Sequence, residues 1–230
     1  MRTINLITVC TDAYPMEYAR KLITRFKELT EFEVNAYCIT DRPLEIKDLA
    51  TPIKPHSGFK GWWNKMMVYS DYMPKGYSVY LDIDTVLVKN FDEEMETAFQ
   101  KLDEGYPVVC VSDAINWMDN KYSSSMMFLK GWSMLDMWKR FEIAHWRIGD
   151  YPGGDQVWVG RNLEDKVFYI DEVYPNLKLN LKFHLGEKIM GQWKFPNYLP
   201  VDCKIVDCGG KPKPHELQLP YIVENWHNVE

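Results

Sequence analysis

The sequence is poor in the features that mark membrane, secreted and nucleic-acid-binding chains. None of its apolar runs approaches the roughly 20 residues that a membrane helix needs, and its N-terminal stretch lacks a signal-peptide layout. Five cysteines, an odd number, fit a reducing cytosol better than a disulfide framework. A net charge of −6 without a basic tail argues against general binding to nucleic acid. We therefore predict a cytoplasmic protein with no nucleic-acid partner and no transmembrane segment.

The chain's 230 residues are enough for one large domain, and no repeat, low-complexity segment or linker divides it. A strand over residues 4–10, a helix from about 16 to 30 and a strand over 33–39 predict a βαβ unit with parallel strands. In open α/β sheets the ligand lies beyond the carboxyl ends of such strands. Candidates for the rim of a site are therefore Thr8, Thr11, Tyr14 and Asp41.

Two aspartates, Asp82 and Asp84, lie inside an apolar run that extends from Tyr80 to Val88. If this run is one strand, residues two apart share a face, and both carboxylates point the same way. A buried, ionised carboxylate must be paired, protonated or bound to a cation. Two aligned carboxylates suit a hard divalent ion that shares its coordination with phosphate oxygens. The pair therefore indicates a metal-dependent enzyme of phosphate esters; the alternative is a pair that caps a strand end through backbone amides.

The same residues also resemble the first motif of haloacid-dehalogenase-type phosphatases, whose first aspartate is a nucleophile and whose second is a general acid. That motif usually lies near the start of the catalytic core, whereas roughly eighty residues precede it here. The acidic motif expected downstream is incomplete, since Gly154-Asp155 is followed by Val159 where a second aspartate is needed. The phosphatase is kept as an alternative.

Four short stretches together resemble the ordered landmarks of GT-A-fold glycosyltransferases. They cover residues 61–66, 76–88, 154–156 and 207–215. In the last stretch, Gly210, Lys213 and Pro214 fall in register with the closing motif of family 8, His-Phe-x-Gly-x-x-Lys-Pro-Trp. The resemblance implies an α/β fold of the GT-A type, a Rossmann-like sandwich with a mostly parallel central sheet and helices on both faces.

The resemblance also implies a single domain over residues 1–230. Residues 1–90 would form the nucleotide-binding half. Residues 91–230 would form the acceptor-side half and carry the C-terminal metal and phosphate motif.

Family roles pass to individual positions of this chain. Asp82 would contact the ribose and the metal, and Asp84 would be a firm metal ligand. The family's closing histidine, its third protein ligand, is Asp207 here, and a carboxylate can still ligate Mn²⁺ or Mg²⁺. Lys213 matches the lysine that offsets charge on the departing diphosphate. Lys65, in the helix before the aspartates, could reach a donor phosphate.

Asp155 and Gln156 match a landmark near the acceptor and the anomeric carbon. Gln156 would stabilise an oxocarbenium-like centre, and Asp155 would hydrogen-bond a sugar hydroxyl, although an N-cap role explains Asp155 equally well. Tyr14 is a candidate to stack on uracil, and Asp41 to contact the base. Three serines at 123–125 replace the family's Asn-x-Gly segment, so the sugar preference does not carry over.

These expectations describe a metal-dependent hexosyltransferase with Mn²⁺ or Mg²⁺ as cofactor. Its donor would be a nucleotide-diphosphate sugar, UDP-linked by preference, and its acceptor a hydroxyl of a carbohydrate or glycoconjugate. Resemblance to family 8 implies retention at the anomeric carbon, whereas an inverting enzyme would use Asp155 as base. A nucleotidyltransferase and a non-catalytic sugar-nucleotide-binding protein are further alternatives.

Overall fold

A computed structural model describes residues 2–11, 14–145, 151–163 and 166–229. The chain begins with the predicted βαβ unit: β1 (Thr3–Val9), α1 (Met16–Leu29) and β2 (Glu33–Ile39), with β1 and β2 parallel. The helix forms here because its apolar side chains recur at helical spacing, and one face of α1 is buried.

In the described parts of the chain, ten further strands follow β2. They are β3 (Thr51–Ile53), β4 (Tyr77–Leu81), β5 (Thr85–Leu87), β6 (Val108–Ser112), β7 (Tyr122–Lys130), β8 (Val167–Tyr169), β9 (Lys178–Asn180), β10 (Glu187–Ile189), β11 (Gln192–Lys194) and β12 (Ile205–Asp207). Seven strands form the central sheet in the order β3-β2-β1-β4-β7-β6-β8. In this sheet β7 runs antiparallel to both of its neighbours, and the other pairings are parallel.

The remaining helical segments are short. The α-helices are α2 (Asp92–Asp103), α3 (Leu135–Ala144), α4 (Gly154–Asn162) and α5 (Pro220–Ile222). The 3₁₀-helices are Pro43–Glu45, Gly61–Tyr69, Trp117–Asp119, Ile170–Glu172 and Pro214–Glu216, and the π-helical turns are Leu181–Leu185 and Val223–His227. Within the described ranges, no helix is both long and apolar enough to cross a bilayer.

Alternating side chains of the central strands enter two separate cores, one on each face of the sheet. On one face, Val79 and Phe128 pack with α1 and α2. On the other, Tyr80 and Met127 pack with the Gly61–Tyr69 helix, α3 and α4. Successive side chains of a strand point to opposite faces of the sheet, so both faces need a covering layer, which the helices provide. The predicted architecture, a mostly parallel sheet with helices on both faces, is confirmed.

The prediction that Asp82 and Asp84 lie on one continuous strand is wrong. β4 ends at Leu81, the aspartates occupy a turn, and β5 begins at Thr85. The turn is closed by a hydrogen bond from the Thr85 amide to the Asp82 carbonyl, at 3.2 Å. The apolar run conceals the break because the chain leaves one sheet and enters another, so both flanks of the turn are buried.

The second sheet has the order β5-β12-β9, with β12 antiparallel to β5 and parallel to β9. Its register places Asp207, the last residue of β12, opposite Thr85 and beside Asn180. Strands β9 and β12 lie in a Pro- and Gly-rich region of the chain, where the sequence shows no clear periodicity. The second sheet therefore carries the C-terminal motif back to the aspartate turn.

Candidate active site

The carboxylate of Asp82 lies at the carboxyl end of β4 and is held by two side chains. Lys65 Nζ is 2.9 Å from its Oδ1, and the Tyr80 hydroxyl donates to Oδ1 at 2.6 Å. Lys65 reaches this position because the Gly61–Tyr69 helix is buried from Trp63 onward. Its ammonium also lies 3.5 Å from Asp155 Oδ2. Burial would lower the pKa of Lys65, but Asp155 and Asp82 outweigh it and raise that pKa.

Asp84 lies deeper than Asp82, with 6% of its surface exposed. Lys213 Nζ is 2.5 Å from its Oδ2, and the Tyr14 hydroxyl donates to the same oxygen at 3.2 Å. Lys213 also donates to the Tyr14 hydroxyl at 2.6 Å. Burial and the neighbouring carboxylates of Asp82 and Asp207 raise the pKa of Asp84, although Lys213 opposes them. The environment of Asp84 therefore favours additional positive charge.

Asp207 is buried and fully engaged. Lys178 Nζ lies 2.5 Å from its Oδ2, and the Gly209 amide donates to Oδ1 at 2.8 Å. Lys178 donates a further bond to Ser125 Oγ at 2.7 Å. Burial raises the pKa of Asp207, but the Lys178 ammonium and hydrogen bonds from Gly209 and Asn180 outweigh it and lower that pKa. Asp207 is thus an anion held by the protein itself.

The N-terminal turn of α4 brings Asp155 and Gln156 to the same place. Ser124 Oγ donates to Asp155 Oδ2 at 2.7 Å, and the Ser124 amide donates to Gln156 Oε1 at 3.4 Å. The N-cap of α4 is Gly153, and Asp155 makes no capping hydrogen bond. The capping explanation of Asp155 is therefore wrong, and this buried carboxylate belongs to the Lys65 and Ser124 network.

The residues predicted after β1 and β2 lie in different surroundings. Thr8 is fully buried, and its hydroxyl donates to the Leu81 carbonyl at 3.0 Å, so it joins β1 to the end of β4. Thr11 is 8% exposed, and its carbonyl accepts from Arg42 Nη2 at 3.0 Å. Asp41 is exposed and borders a cavity of about 420 Å³ beyond the carboxyl ends of β2 and β3. Of this group, Tyr14 is the one whose side chain, within the described ranges, hydrogen-bonds to a side chain of the aspartate turn.

The donor chemistry at the turn fits a divalent ion. Asp82 and Asp84 offer carboxylate oxygens, which Mg²⁺ and Mn²⁺ prefer. In the ion-pair network four carboxylates face three ammonium groups, which leaves one net negative charge. Across the described parts of the chain, however, no three His, Cys, Asp or Glu side chains are placed so as to hold one ion. The residues that could hold a divalent ion are therefore the two aspartates of the turn, Asp82 and Asp84.

No family model and no curated protein matches this chain. Solved structures match it in fold. The glycosyltransferase GlyE of Streptococcus pneumoniae TIGR4 superposes with a TM-score of 0.69 at 12% identity, over 100% of this chain and 62% of GlyE. The bifunctional glycosyltransferase WbbM gives 0.70 at 11% identity, over 99% of this chain and 50% of WbbM.

A third structure is the galactosyltransferase LgtC, in complex with donor and acceptor sugar analogues. It superposes with a TM-score of 0.64 at 11% identity, over 94% of this chain and 90% of LgtC. The chain has the fold of GT-A glycosyltransferases. It spans 62% of the length of GlyE, and at these identities the likeness concerns the fold.

Sequence reasoning missed four residues of the site: Tyr80, Ser124, Ser125 and Lys178. Tyr80 and the two serines give no signal in the sequence, because a hydroxyl group has no periodic pattern of its own. Lys178 lay in a region without a clear pattern. A lysine between leucines, as in Leu177-Lys178-Leu179, is the one available signal, since a charge there must be paired if the flanks are buried.

Proposed function

We propose that the protein is a metal-dependent glycosyltransferase that moves a hexose from a nucleotide-diphosphate sugar to an acceptor hydroxyl. The donor is UDP-linked by preference, and the acceptor is a carbohydrate or glycoconjugate. The observation that carries the proposal is the placement of Lys65 and Lys213 on the two aspartates of one turn. Two ammonium groups beside two carboxylates match a diphosphate that arrives with a divalent ion.

The two lysines at the turn can exchange their aspartate partners for phosphate oxygens when the donor binds. The side chains of Lys65 and Lys213 are 11% and 17% exposed, so each has an edge open to a ligand. If each ammonium turns to a phosphate oxygen, it offsets the charge that develops on the leaving diphosphate. Mn²⁺ or Mg²⁺ would be held by Asp82 and Asp84 and would stabilise the same leaving group as a Lewis acid.

We place the nucleoside on the β1–β2 side of the turn. The cavity beside Asp41 lies beyond the carboxyl ends of β2 and β3, the usual position of a ligand in such sheets. Thr8 would contribute indirectly, since its hydroxyl joins β1 to the end of β4. Thr11 would contribute through the loop after β1, whose carbonyl at Thr11 is held by Arg42. Tyr14, whose hydroxyl bridges Asp84 and Lys213, would contact the donor at the ribose–diphosphate junction.

Transfer would take place between the turn and the start of α4. Gln156 would stabilise the oxocarbenium-like centre, and Asp155 would orient a sugar hydroxyl. Asp155 Oδ2 already accepts from Ser124 and lies 3.5 Å from Lys65 Nζ, so this oxygen is not free to take a proton from an acceptor hydroxyl. This supports a retaining rather than an inverting reaction.

A thermal-shift screen tests the proposal. UDP, GDP, ADP and UDP-hexoses are each added with and without millimolar MnCl₂, because binding to the folded state raises the apparent Tm by mass action. We expect the largest rise with a UDP-hexose and Mn²⁺, and release of UDP when this mixture is incubated. Turnover of p-nitrophenyl phosphate with no response to any nucleotide would instead favour the phosphatase. A shift without any release of nucleotide would favour the non-catalytic binder.

A further inference from the structure

Lys178 is the most deeply buried of the three lysines that pair with the site's aspartates. Its side chain is 4% exposed, against 11% for Lys65 and 17% for Lys213. It lies on β9, whose parallel pairing with β12 sets Lys178 beside Ile205 and carries Asp207 to the edge of the aspartate turn. The ammonium therefore enters the site from within the second sheet.

The bonds of this pair leave little for a ligand to take. Lys178 donates to Asp207 Oδ2 at 2.5 Å and to Ser125 Oγ at 2.7 Å. The other carboxylate oxygen, Oδ1, accepts from the Gly209 amide at 2.8 Å. Both oxygens of Asp207 are thus used by the protein. A metal ion at Asp207 would have to displace an ammonium that has no water-exposed alternative.

The energetics of burial point the same way. Removing one partner of a buried ion pair leaves an uncompensated charge, which is strongly unfavourable. Lys65 and Lys213 can exchange a carboxylate for a phosphate at the surface, but Lys178 has no such route. Ser125 fixes its ammonium further and links it to β7, where Ser124 holds Asp155.

We propose that Lys178 is a resident cation that neutralises Asp207 and takes the place of a third protein ligand. A divalent ion in this site is held by the aspartates of the turn and the donor diphosphate, and Asp207 does not ligate it. Lys178 is a positioning residue that fixes Asp207 and Ser125 around the turn. The statement about the ion rests on the proposed function, whereas the statement about the pair does not.

Mn²⁺ binding to the full chain tests this inference. Free Mn²⁺ is followed by electron paramagnetic resonance, with and without UDP, for the wild type, Asp84→Asn and the double variant Lys178→Met/Asp207→Asn. The double variant removes the pair without a change in net charge. We expect it to keep the wild-type Mn²⁺ affinity within about twofold, whereas Asp84→Asn loses tenfold or more, of the order seen when a metal site is disturbed. An equal loss in the double variant overturns the inference.

The single variant Lys178→Met uncovers Asp207 beside Asp84. We expect its Mn²⁺ affinity to rise about tenfold, and Mn²⁺ to raise its Tm more than that of the wild type. Lys204→Met is the matched control, since it uncovers Glu94, a buried carboxylate in an ion pair outside the site, with the pair at 2.6 Å. Mn²⁺ is expected to leave the Tm of Lys204→Met unchanged.

Two outcomes separate the inference from the proposed function. If the wild type binds neither Mn²⁺ nor UDP, the proposed function fails, but a Mn²⁺-dependent rise in Tm in Lys178→Met still supports the resident cation. If Lys178→Met does not fold, recovery by Mn²⁺ or by adding Asp207→Asn supports the inference. Failure of both to restore folding, or a folded Lys178→Met that does not respond to Mn²⁺, overturns it.

Discussion

The Asp82–Asp84 turn and the Lys178–Asp207 pair are built from the same two residue types, yet their surroundings differ. At the turn, the Asp82 side chain is 25% exposed, and its lysine also contacts a second carboxylate. In the pair, lysine and aspartate are enclosed and bonded to Ser125 and Gly209. Asp84 is as buried as Asp207, so the two regions differ chiefly in their lysines, which are 11% and 17% exposed at the turn against 4% for Lys178. Lysines with an exposed edge suit groups that exchange partners with a substrate. Enclosed, saturated contacts suit groups that hold the framework around it.

The largest effect is expected from breaking the enclosed pair. Lys178→Met leaves Asp207 buried without its cation, so the free energy of unfolding should fall by about 3–5 kcal/mol. Lys178→Met/Asp207→Asn should recover most of this loss, because it removes both charges. Guanidinium denaturation at neutral pH measures both variants. An equal loss in the single and double variants would show that packing, and not charge, sets the stability of this corner.

A large effect on turnover is expected at the turn. Lys65→Met removes the ammonium that Asp82 and Asp155 share, and misplacement of such groups costs about 100-fold in rate. Lys65→Arg should recover part of the rate because it keeps the positive charge. The recovery should be incomplete because the planar guanidinium group contacts carboxylates with a different geometry. Release of UDP from a UDP-hexose measures this. A rate unchanged in Lys65→Met would remove Lys65 from the donor site.

Much of this comparison follows from the sequence, and part of it does not. The βαβ unit and the two aspartates are evident because apolar periodicity and a paired charge in an apolar run are local signals. The break between Leu81 and Thr85 is not, since both sides of the turn are equally apolar. Lys178 is not evident because its burial depends on β9 pairing with β12, a contact between distant segments.

The lesson extends to single residues after β1. The position of Thr8 near a strand end predicts a place at the site rim. Its hydroxyl instead donates a hydrogen bond to the Leu81 carbonyl inside the sheet. For Tyr14 the sequence predicts a stacking ring, which stays a prediction, and the structure adds that its hydroxyl joins Asp84 to Lys213. Sequence position indicates which residues approach a site, whereas the hydrogen-bond partners decide what each contributes.

Two tyrosines at the turn give a finer test. Tyr14→Phe removes a donor from buried Asp84 and an acceptor from Lys213, so it should weaken UDP affinity by about tenfold, or roughly 1.4 kcal/mol. Tyr80→Phe removes one bond to Asp82, whose exposed edge water can satisfy, and should cost less. Calorimetric titration with UDP and Mn²⁺ compares them. A larger loss in Tyr80→Phe would reverse the relative importance of the two contacts.

The smallest effect concerns the thiols. All five cysteines are free and buried. Burial raises the pKa of Cys10 and of Cys203 to about 11, and the pKa of Cys208, beside Asp207, is raised as well. Because the thiolate is the reactive form, native protein at pH 8 should be almost inert to iodoacetamide, with reactivity rising towards pH 11. Mass spectrometry locates the adducts, and early labelling of Cys208 at pH 8 would show that the enclosed corner opens.

The most direct test of the central claim is the rate at which UDP is released from a UDP-hexose in the presence of Mn²⁺, compared between the wild type and Asp84→Asn. The wild type should release UDP only when the metal is present. Asp84→Asn should lose at least 100-fold of this rate, of the order expected for an electrostatic group at the reacting centre, while its Tm without ligand stays near that of the wild type. Equal rates in the two proteins, or release by the wild type that does not depend on the metal, would contradict the account.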